Sequence, residues 1–262
     1  PLLRYFKLYQ PRQLLILYTE KKQFSQGNYK KIAAVSNQVK KEIVSNYGVP
    51  EADIEVIYNG VDIETFRPEN KKTHASEIRN RFHIKPDEKV ILFLGTGFGR
   101  KGLSFLMYAF ALIKDSHPDT KLLVVGKDNN VQKHARLSRE LGISDRVIFT
   151  GPQSDVKRFY ASADIFVFPT LYEPFGNVCL EAMASGLPVI TSRINGASEI
   201  MEEVDHLLLD EPSDVKTLAA KVGFLLKNNE ERMKIGQAMR KIAERHTISI
   251  NAHQFVKLYQ AL

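Results

Sequence analysis

Two glutamates separated by seven residues are the side chains whose types and spacing first suggest chemistry. They are Glu173 and Glu181 in EPFGNVCLEAMASGLPVI (173–190), and Glu181 is the only charged residue from 176 to 190. A glutamate within an apolar helix needs a polar partner, because burying an unpaired carboxylate is unfavourable. A carboxylate can accept hydrogen bonds from two vicinal hydroxyls, so one glutamate could bind a ribose diol and the other a sugar. The alternative partner for Glu181 is an arginine such as Arg193.

The start of the helix between these glutamates is a candidate phosphate site. Pro174 indicates a turn, and the helix begins at Phe175, Gly176, Asn177 and Val178. The first N–H groups of a helix have no acceptor within it, and the helix dipole favours an anion there. A diphosphate could therefore lie between the two carboxylates.

A glycine-rich stretch, GTGFGRKG (95–102), is the second candidate phosphate site. It contains a G-x-G-x-x-G pattern, so an NAD(P)-binding oxidoreductase is an alternative interpretation. A dehydrogenase would place an acid at the end of the next strand, where this sequence has Gly126 and Lys127. Arg100 and Lys101 lie within the loop and suit a pyrophosphate leaving group. Cations are unfavourable at a helix start, which favours a functional role for this pair over a solvated one.

Apolar runs that alternate with helix-like stretches must position these residues. The runs rich in Val, Ile, Leu and Phe lie at 89–95, 121–126, 146–151, 164–169, 188–192 and 206–210. They predict an α/β fold, with a Rossmann-like, doubly wound parallel sheet covered on both faces. Ligands bind such sheets beyond the carboxyl ends of the strands, where both candidate sites lie. Residues 54–62 predict a further strand, and the polar residues 67–75 predict a loop.

The net charge of +7 lies entirely within residues 1–50, which hold nine of the basic residues and two of the acidic ones. Residues 1–24 mix these bases with leucines and aromatics, which predicts either a helix packed on a further domain or contact with an anionic membrane surface. Nucleic acid is not expected as a partner, because no recognition motif accompanies the charge. The single cysteine, Cys179, favours a reducing compartment such as the cytoplasm. No metal-ligand spacing is present, so no metal or other cofactor is expected.

The stretch 173–190 resembles the E-x7-E signature of retaining glycosyltransferases of family 4, also called glycosyl transferases group 1, which have the GT-B fold. The segments VSNQVKKEI (35–43), VIYNGVD (56–62) and YASADIFVFPTLYEPFG (160–176) follow the order found in that family. Within the family, LGTGFGRKGL and LLVVGKD are most similar to the lipopolysaccharide-core glucosyltransferases that act on heptose.

The resemblance implies transfer of a hexose, with glucose from UDP-glucose as the expected donor, to a glycan or glycolipid acceptor such as lipopolysaccharide core. It assigns Arg100 and Lys101 to the donor diphosphate, Glu181 to ribose hydroxyls and Glu173 to the donor sugar. Glu173, Arg100 and Lys101 are then the expected catalytic residues. The full predicted donor-binding set is Gly97, Arg100, Lys101, Val125, Gly126, Gln153, Glu173, Phe175, Gly176, Asn177, Val178 and Glu181.

The resemblance also implies a division of the chain into three parts. Residues 1–56 would be the remnant of an N-terminal acceptor-side domain, and residues 57–245 the donor-binding Rossmann-like domain. Residues 246–262 would form a helix that packs back toward the N-terminal domain. The expected location is cytoplasmic, with or without peripheral attachment to the inner face of the membrane. A non-catalytic nucleotide-sugar-binding or membrane-associated module is the remaining alternative.

Overall fold

The N-terminal unit is a two-stranded parallel sheet flanked by two helices. The computed structural model describes residues 11–262. Its first elements are helix α1 (Pro11–Gln23), strand β1 (Ile32–Ala34), helix α2 (Asn37–Tyr47) and strand β2 (Ile54–Val56). Helix α2 begins where the Ser36 side chain accepts a hydrogen bond from the Val39 backbone N–H, and it ends at Gly48 with φ 69°. These are standard signals for the two ends of a helix.

A six-stranded parallel sheet forms the main unit. Its strands are β3 (Lys89–Thr96), β4 (Thr120–Lys127), β5 (Val147–Gly151), β6 (Ile165–Phe168), β7 (Val189–Ser192) and β8 (Leu208–Leu209). The strand order is β5-β4-β3-β6-β7-β8, and every neighbouring pair is parallel. All six strands lie within or next to the predicted apolar runs, so the predicted Rossmann-like sheet is confirmed. The order reverses between β3 and β6, which makes the crevice there the expected ligand site.

Eight helices of the described chain follow β2. They are α3 (Asn70–Arg81), α4 (Leu103–Ile113), α5 (Val131–Glu140), α6 (Lys157–Ser162), α7 (Asn177–Ala184), α8 (Val215–Lys227), α9 (Asn229–Glu244) and α10 (Ile248–Gln260). A short 3₁₀ helix, Gly196–Ile200, follows β7. The strands are buried because helices cover the sheet, and residues 90–93 of β3 are completely inaccessible. No helix of the described residues is both long and apolar enough to cross a membrane.

Two local predictions are wrong. The strand predicted for 54–62 ends at Val56, and the loop predicted for 67–75 contains the start of α3 at Asn70. Helix α3 is polar, so its sequence carries no strong apolar period. Tertiary contacts hold it instead: Arg79 donates hydrogen bonds to Asp164 at 3.1 Å and to the Glu88 carbonyl at 2.8 Å. Such contacts commonly override a weak local signal.

Candidate functional site

The glycine-rich loop after β3 is folded tightly against its neighbours. The Gly97 N–H donates to the Lys127 carbonyl at 3.0 Å, and the Phe98 N–H donates to Asp128 Oδ2 at 2.6 Å. At Gly102, with φ 78°, a Cβ atom would lie 1.9 Å from the Pro169 carbonyl oxygen. Only glycine therefore permits the close approach of this loop to the segment after β6.

Arg100 and Lys101 meet Glu173 across that approach. The Lys101 ammonium contacts the Glu173 carboxylate, and Arg100 Nη1 lies 3.7 Å from Glu173 Oε2. Lys101 Nζ also lies 5.2 Å from the centre of the Phe168 ring. Two residues of the predicted diphosphate site and the predicted sugar-binding glutamate therefore form one ion-pair cluster.

The charge state of Lys101 depends on these neighbours. Desolvation by burial and then the Arg100 guanidinium lower the pKa of Lys101 to about 8. The Glu173 carboxylate acts in the opposite direction, because contact with an anion stabilises the ammonium form. A phosphate bound at this position would favour the ammonium form in the same way.

The amino end of α7 faces the same cluster with free N–H groups. The helix follows Gly176, whose φ of 79° is left-handed, and no side chain caps it. Among residues 11–262, the backbone N–H groups of Phe175, Gly176, Asn177 and Val178 have no protein acceptor. Such groups, together with the helix dipole, bind anions.

One cleft of about 520 Å³ joins these features. It lies at the carboxyl ends of β3 and β6, where the strand order reverses. Its lining includes seven of the twelve predicted donor-binding residues: Arg100, Lys101, Glu173, Phe175, Gly176, Asn177 and Val178. Its size is within the range of small-molecule sites. Asn59, which the sequence did not identify, also lines it and donates a hydrogen bond to the Asn177 side chain at 2.8 Å.

Glu181 lies one turn further along α7, in an adjoining cavity. Its Oε2 accepts a hydrogen bond from the hydroxyl of the fully buried Tyr160 at 2.8 Å. The suggested alternative partner, Arg193, instead pairs with Asp205 and Asp210. Burial raises the pKa of Glu181, and the Tyr160 hydrogen bond acts against this. Glu181 lines a cavity of about 140 Å³ that shares Asn177 with the main cleft.

The remaining predicted residues lie away from the main cleft. Gly126 lines a separate cavity of about 130 Å³ with Phe98, Phe149 and Pro152, at the carboxyl ends of β4 and β5. Val125 is buried in the core with 1% exposure, so its side chain offers no ligand contact. The Gln153 side chain donates to the Thr150 carbonyl at 2.9 Å. Gly97 anchors the glycine-rich loop through the hydrogen bond from its N–H to the Lys127 carbonyl.

A larger cavity, of about 840 Å³, lies at the opposite edge of the sheet. Its lining includes residues at the amino ends of β3, β6 and β7, among them Asp164. This carboxylate accepts a hydrogen bond from the Val90 N–H at 2.9 Å and pairs with Lys71 and Arg79. These groups satisfy one another and hold α3 on the sheet. Ligands of parallel sheets bind at the carboxyl ends, so the smaller cleft is the better candidate.

Comparison with protein families identifies the class of protein to which this fold and site belong. The model described as "Glycosyl transferases group 1" matches residues 75–242, and the model described as "Glycosyltransferase Family 4" matches residues 3–65. The chain therefore belongs to the glycosyl transferases group 1 family. The predicted family is confirmed, and the oxidoreductase alternative loses its support.

Individual relatives agree with this assignment. The chain is 31% identical over 232 residues to an uncharacterized glycosyltransferase of Methanocaldococcus jannaschii, covering 87% of this chain and 59% of that protein. It is 30% identical over 230 residues to D-inositol 3-phosphate glycosyltransferase of Corynebacterium urealyticum, covering 84% and 54%. The chain thus spans less than two thirds of the length of these relatives.

Solved structures share the fold. WaaG, a glycosyltransferase involved in lipopolysaccharide biosynthesis, has a TM-score of 0.82 at 24% identity, covering 95% of this chain and 68% of that one. Anabaena Alr3699/HepE in complex with UDP-glucose has a TM-score of 0.79 at 24% identity, covering 89% and 64%. The six-stranded sheet therefore corresponds to a Rossmann-like domain of the GT-B fold.

Proposed function

We propose that the chain is the donor-binding part of a retaining hexosyltransferase. It would transfer glucose from UDP-glucose to a glycan or glycolipid acceptor, such as lipopolysaccharide core. The supporting observation is the 520 Å³ cleft, in which two cations, one carboxylate and the free N–H groups of α7 converge. Anabaena Alr3699/HepE, a structural neighbour, binds UDP-glucose, which supports a uridine donor.

The diphosphate would occupy the position between Lys101 and the start of α7. The Glu173 carboxylate pairs with Lys101 in this cleft. An incoming diphosphate would replace that carboxylate and leave Glu173 free to accept hydrogen bonds from the donor sugar. As the bond between the sugar and the diphosphate breaks, negative charge grows on the diphosphate. Arg100, Lys101 and the α7 N–H groups would stabilise this charge without a metal ion.

The transfer would proceed on one face of the sugar. An acceptor hydroxyl would attack the anomeric carbon as the diphosphate leaves from the same side, through an oxocarbenium-like state. The hydroxyl proton would pass to an oxygen of the leaving diphosphate. This differs from the two-carboxylate, double-displacement scheme of retaining hydrolases. In our proposal Glu173 binds the sugar and is not a nucleophile.

The nucleoside would extend from the main cleft along the sheet edge. The Glu181 carboxylate would accept hydrogen bonds from the ribose hydroxyls, with Tyr160 holding its other oxygen. The base would lie near Gly126 and Gln153, where the 130 Å³ cavity offers two aromatic rings. The base position rests on the place of this cavity at the carboxyl ends of β4 and β5, and the ribose contact rests on Glu181 lying one turn beyond the amino end of α7.

Helix α1 supports a second part of the proposal, contact with an anionic membrane surface. It exposes five successive large side chains, Leu14, Leu15, Ile16, Leu17 and Tyr18, followed by Lys21 and Lys22. An apolar patch next to lysines suits an anionic lipid surface. The rest of the proposed surface, residues 1–10, lies outside the described residues. We also retain the proposed division at residues 56 and 245 and the cytoplasmic location.

Titration calorimetry of the chain with UDP-glucose, UDP and NAD tests the proposal. We expect binding of both uridine nucleotides and no comparable binding of NAD. A second assay measures sugar transfer by the full-length protein, with a panel of nucleotide sugars as donors. A folded chain that binds NAD more tightly than UDP, or that binds no nucleotide, would overturn the proposal.

A further inference from the structure

Three successive carbonyls around Glu173 are each held by a different part of the chain. The Tyr172 carbonyl accepts a hydrogen bond from Arg100 Nη1 at 2.6 Å. The Glu173 carbonyl accepts one from the Gly196 N–H at 3.0 Å, and the Pro174 carbonyl accepts one from Ser36 Oγ at 2.7 Å. The backbone that presents the Glu173 carboxylate is therefore fixed on both sides.

Ser36 is the donor that comes from the N-terminal unit. It is completely buried, and its hydroxyl is used twice: it donates to Pro174 and accepts from the Val39 N–H at 3.2 Å. A Cβ atom on Gly196 would lie 2.9 Å from Ser36 Cβ and 2.1 Å from the Pro174 carbonyl oxygen. The serine is therefore packed directly against the glutamate-bearing loop.

The start of α2, which carries Ser36, is itself held by Glu199. The Glu199 carboxylate accepts hydrogen bonds from the backbone N–H groups of Asn37 at 2.8 Å and Gln38 at 2.9 Å. It also accepts one from the Tyr58 hydroxyl at 3.1 Å. A carboxylate is favourable at this end of a helix. Burial, followed by the Glu199 charge, raises the pKa of Tyr58 to about 12, so the phenol stays a donor.

A second hydrogen bond joins α2 to the same loop. The Tyr172 hydroxyl donates to Glu42 Oε2 at 2.7 Å. Ser36 and Glu42 lie at opposite ends of the first two turns of the helix, and both bind the segment 172–174. Helix α2 therefore acts as a rigid support for this segment.

We infer that Ser36 is a positioning residue, which sets the orientation of Glu173 toward the donor sugar and links the N-terminal unit to the donor site. This inference rests on the proposed function. Without the Ser36 hydroxyl, the half-buried Pro174 carbonyl loses its donor, and an unpaired carbonyl in that setting favours movement of the loop. Glu173 directly precedes Pro174, so its carboxylate moves with the loop, whereas the proposed nucleoside contact of Glu181 on α7 remains.

The test compares the affinity of the full 262-residue chain for UDP and UDP-glucose by calorimetry. Glu173→Gln should weaken UDP-glucose relative to UDP by about tenfold, the effect of a hydrogen bond to a charged group. Ser36→Ala should change the same ratio in the same direction by about threefold or more. In the double variant, the Ser36 change should add nothing, because it acts through Glu173.

Ser162→Ala is the matched control. Ser162 is as fully buried as Ser36, but within residues 11–262 its hydroxyl bonds only to the Phe159 carbonyl of its own helix. This variant should lower the melting temperature and leave the affinity ratio unchanged. Tyr172→Phe is a milder variant that avoids a folding defect, and it should shift the ratio in the direction of Ser36→Ala.

The outcomes separate this inference from the proposed function. If the wild-type chain binds neither ligand, the proposed function fails and the inference fails with it. If Glu173→Gln changes the ratio while folded Ser36→Ala and Tyr172→Phe leave it at the wild-type value, only the inference is overturned. An additive double variant would also overturn it, because Ser36 would then act independently of Glu173.

Discussion

Replacing Lys101 by methionine should weaken UDP binding about 30-fold. The Lys101 side chain is 9% exposed, so water and salt screen its charge only weakly. A hydrogen bond to a charged group contributes about 1.5–3 kcal/mol, and we take about 2 kcal/mol, which is about 30-fold in Kd. The favourable interaction between Lys101 and the diphosphate is partly offset in the wild-type chain, because the diphosphate must first displace the Glu173 carboxylate from Lys101.

The fold should survive this substitution. Methionine retains the unbranched stem that packs near the Phe168 ring. Glu173 keeps a cation within reach, since Arg100 Nη1 lies 3.7 Å from its carboxylate. Any change in melting temperature should therefore be small compared with the loss of affinity.

Calorimetric titration of UDP and UMP measures the effect. The loss should be larger for UDP than for UMP, because the second phosphate is the group placed next to Lys101. Lys241→Met is the matched control: Lys241 lines the large cavity at the opposite sheet edge, and its replacement should leave both affinities unchanged. Folded Lys101→Met chain with a UDP affinity within about threefold of wild type would refute the assigned role, since that corresponds to less than one ordinary hydrogen bond.

Three other measurements bear on the same site and on helix α1. UDP affinity should fall as the pH rises from 7.5 to 9, because the free chain loses the Lys101 proton over this range whereas a bound diphosphate favours the ammonium form. The phosphates stay fully ionised over the same range, so the fall should be absent in Lys101→Met. A flat profile in the wild-type chain would contradict this. Burial raises the pKa of the Glu181 carboxyl in the folded chain above its ordinary value of 4.5. The folded chain therefore holds the carboxyl proton more tightly than the unfolded chain. The stability that this proton contributes is lost as the pH rises from 4.5 through the raised pKa of the folded chain. Glu181→Gln should therefore raise the melting temperature at pH 7 but weaken UDP binding, and a lower melting temperature would argue against that sign. In co-sedimentation, the chain should bind vesicles containing phosphatidylglycerol more strongly than neutral vesicles, and Leu15→Glu should reduce this binding; equal binding to both vesicles would count against a membrane surface on α1.

The sheet could be predicted from sequence because its signals are local. Buried parallel strands are continuous apolar runs, and each run from β3 to β8 is followed along the chain by a helical stretch. Helix α2 could be predicted for the same reason, since Ser36 and Gly48 give its ends. The order of these elements then indicated the crevice at the strand ends.

Helix α3 could not be predicted because long-range contacts decide its structure. The residues from Asn70 to Arg81 are mostly polar, and the helix is held by Arg79 and by its packing on α6. A polar segment whose partners lie 85 residues away in the chain resembles a loop when only neighbouring residues are considered.

The partner of Glu181 was also beyond sequence reasoning. The need for a polar partner followed from its apolar surroundings, and that expectation led to ligand hydroxyls or an arginine. The partner within the protein is Tyr160, which lies in the preceding helix 21 residues earlier. The path of the chain across the sheet decides which helices face each other. The spacing of residues within one helix does not reveal that path.

The sequence predicted that Lys101, Arg100 and Glu173 belong to one site, but it did not predict that they pair with one another. The motifs placed cations after β3 and a glutamate after β6, and adjacent strands bring these loops together. The sequence assigned the cations to a diphosphate and the glutamate to a sugar. In the structure they pair with one another, because opposite charges attract at close range.

A crystal structure of the chain with UDP tests the central claim most directly. We expect the diphosphate oxygens within hydrogen-bond distance of Lys101 Nζ and of the Asn177 and Val178 N–H groups, with the Glu173 carboxylate turned away from Lys101. A diphosphate bound elsewhere, or Lys101 still paired with Glu173 beside a bound nucleotide, would contradict the account.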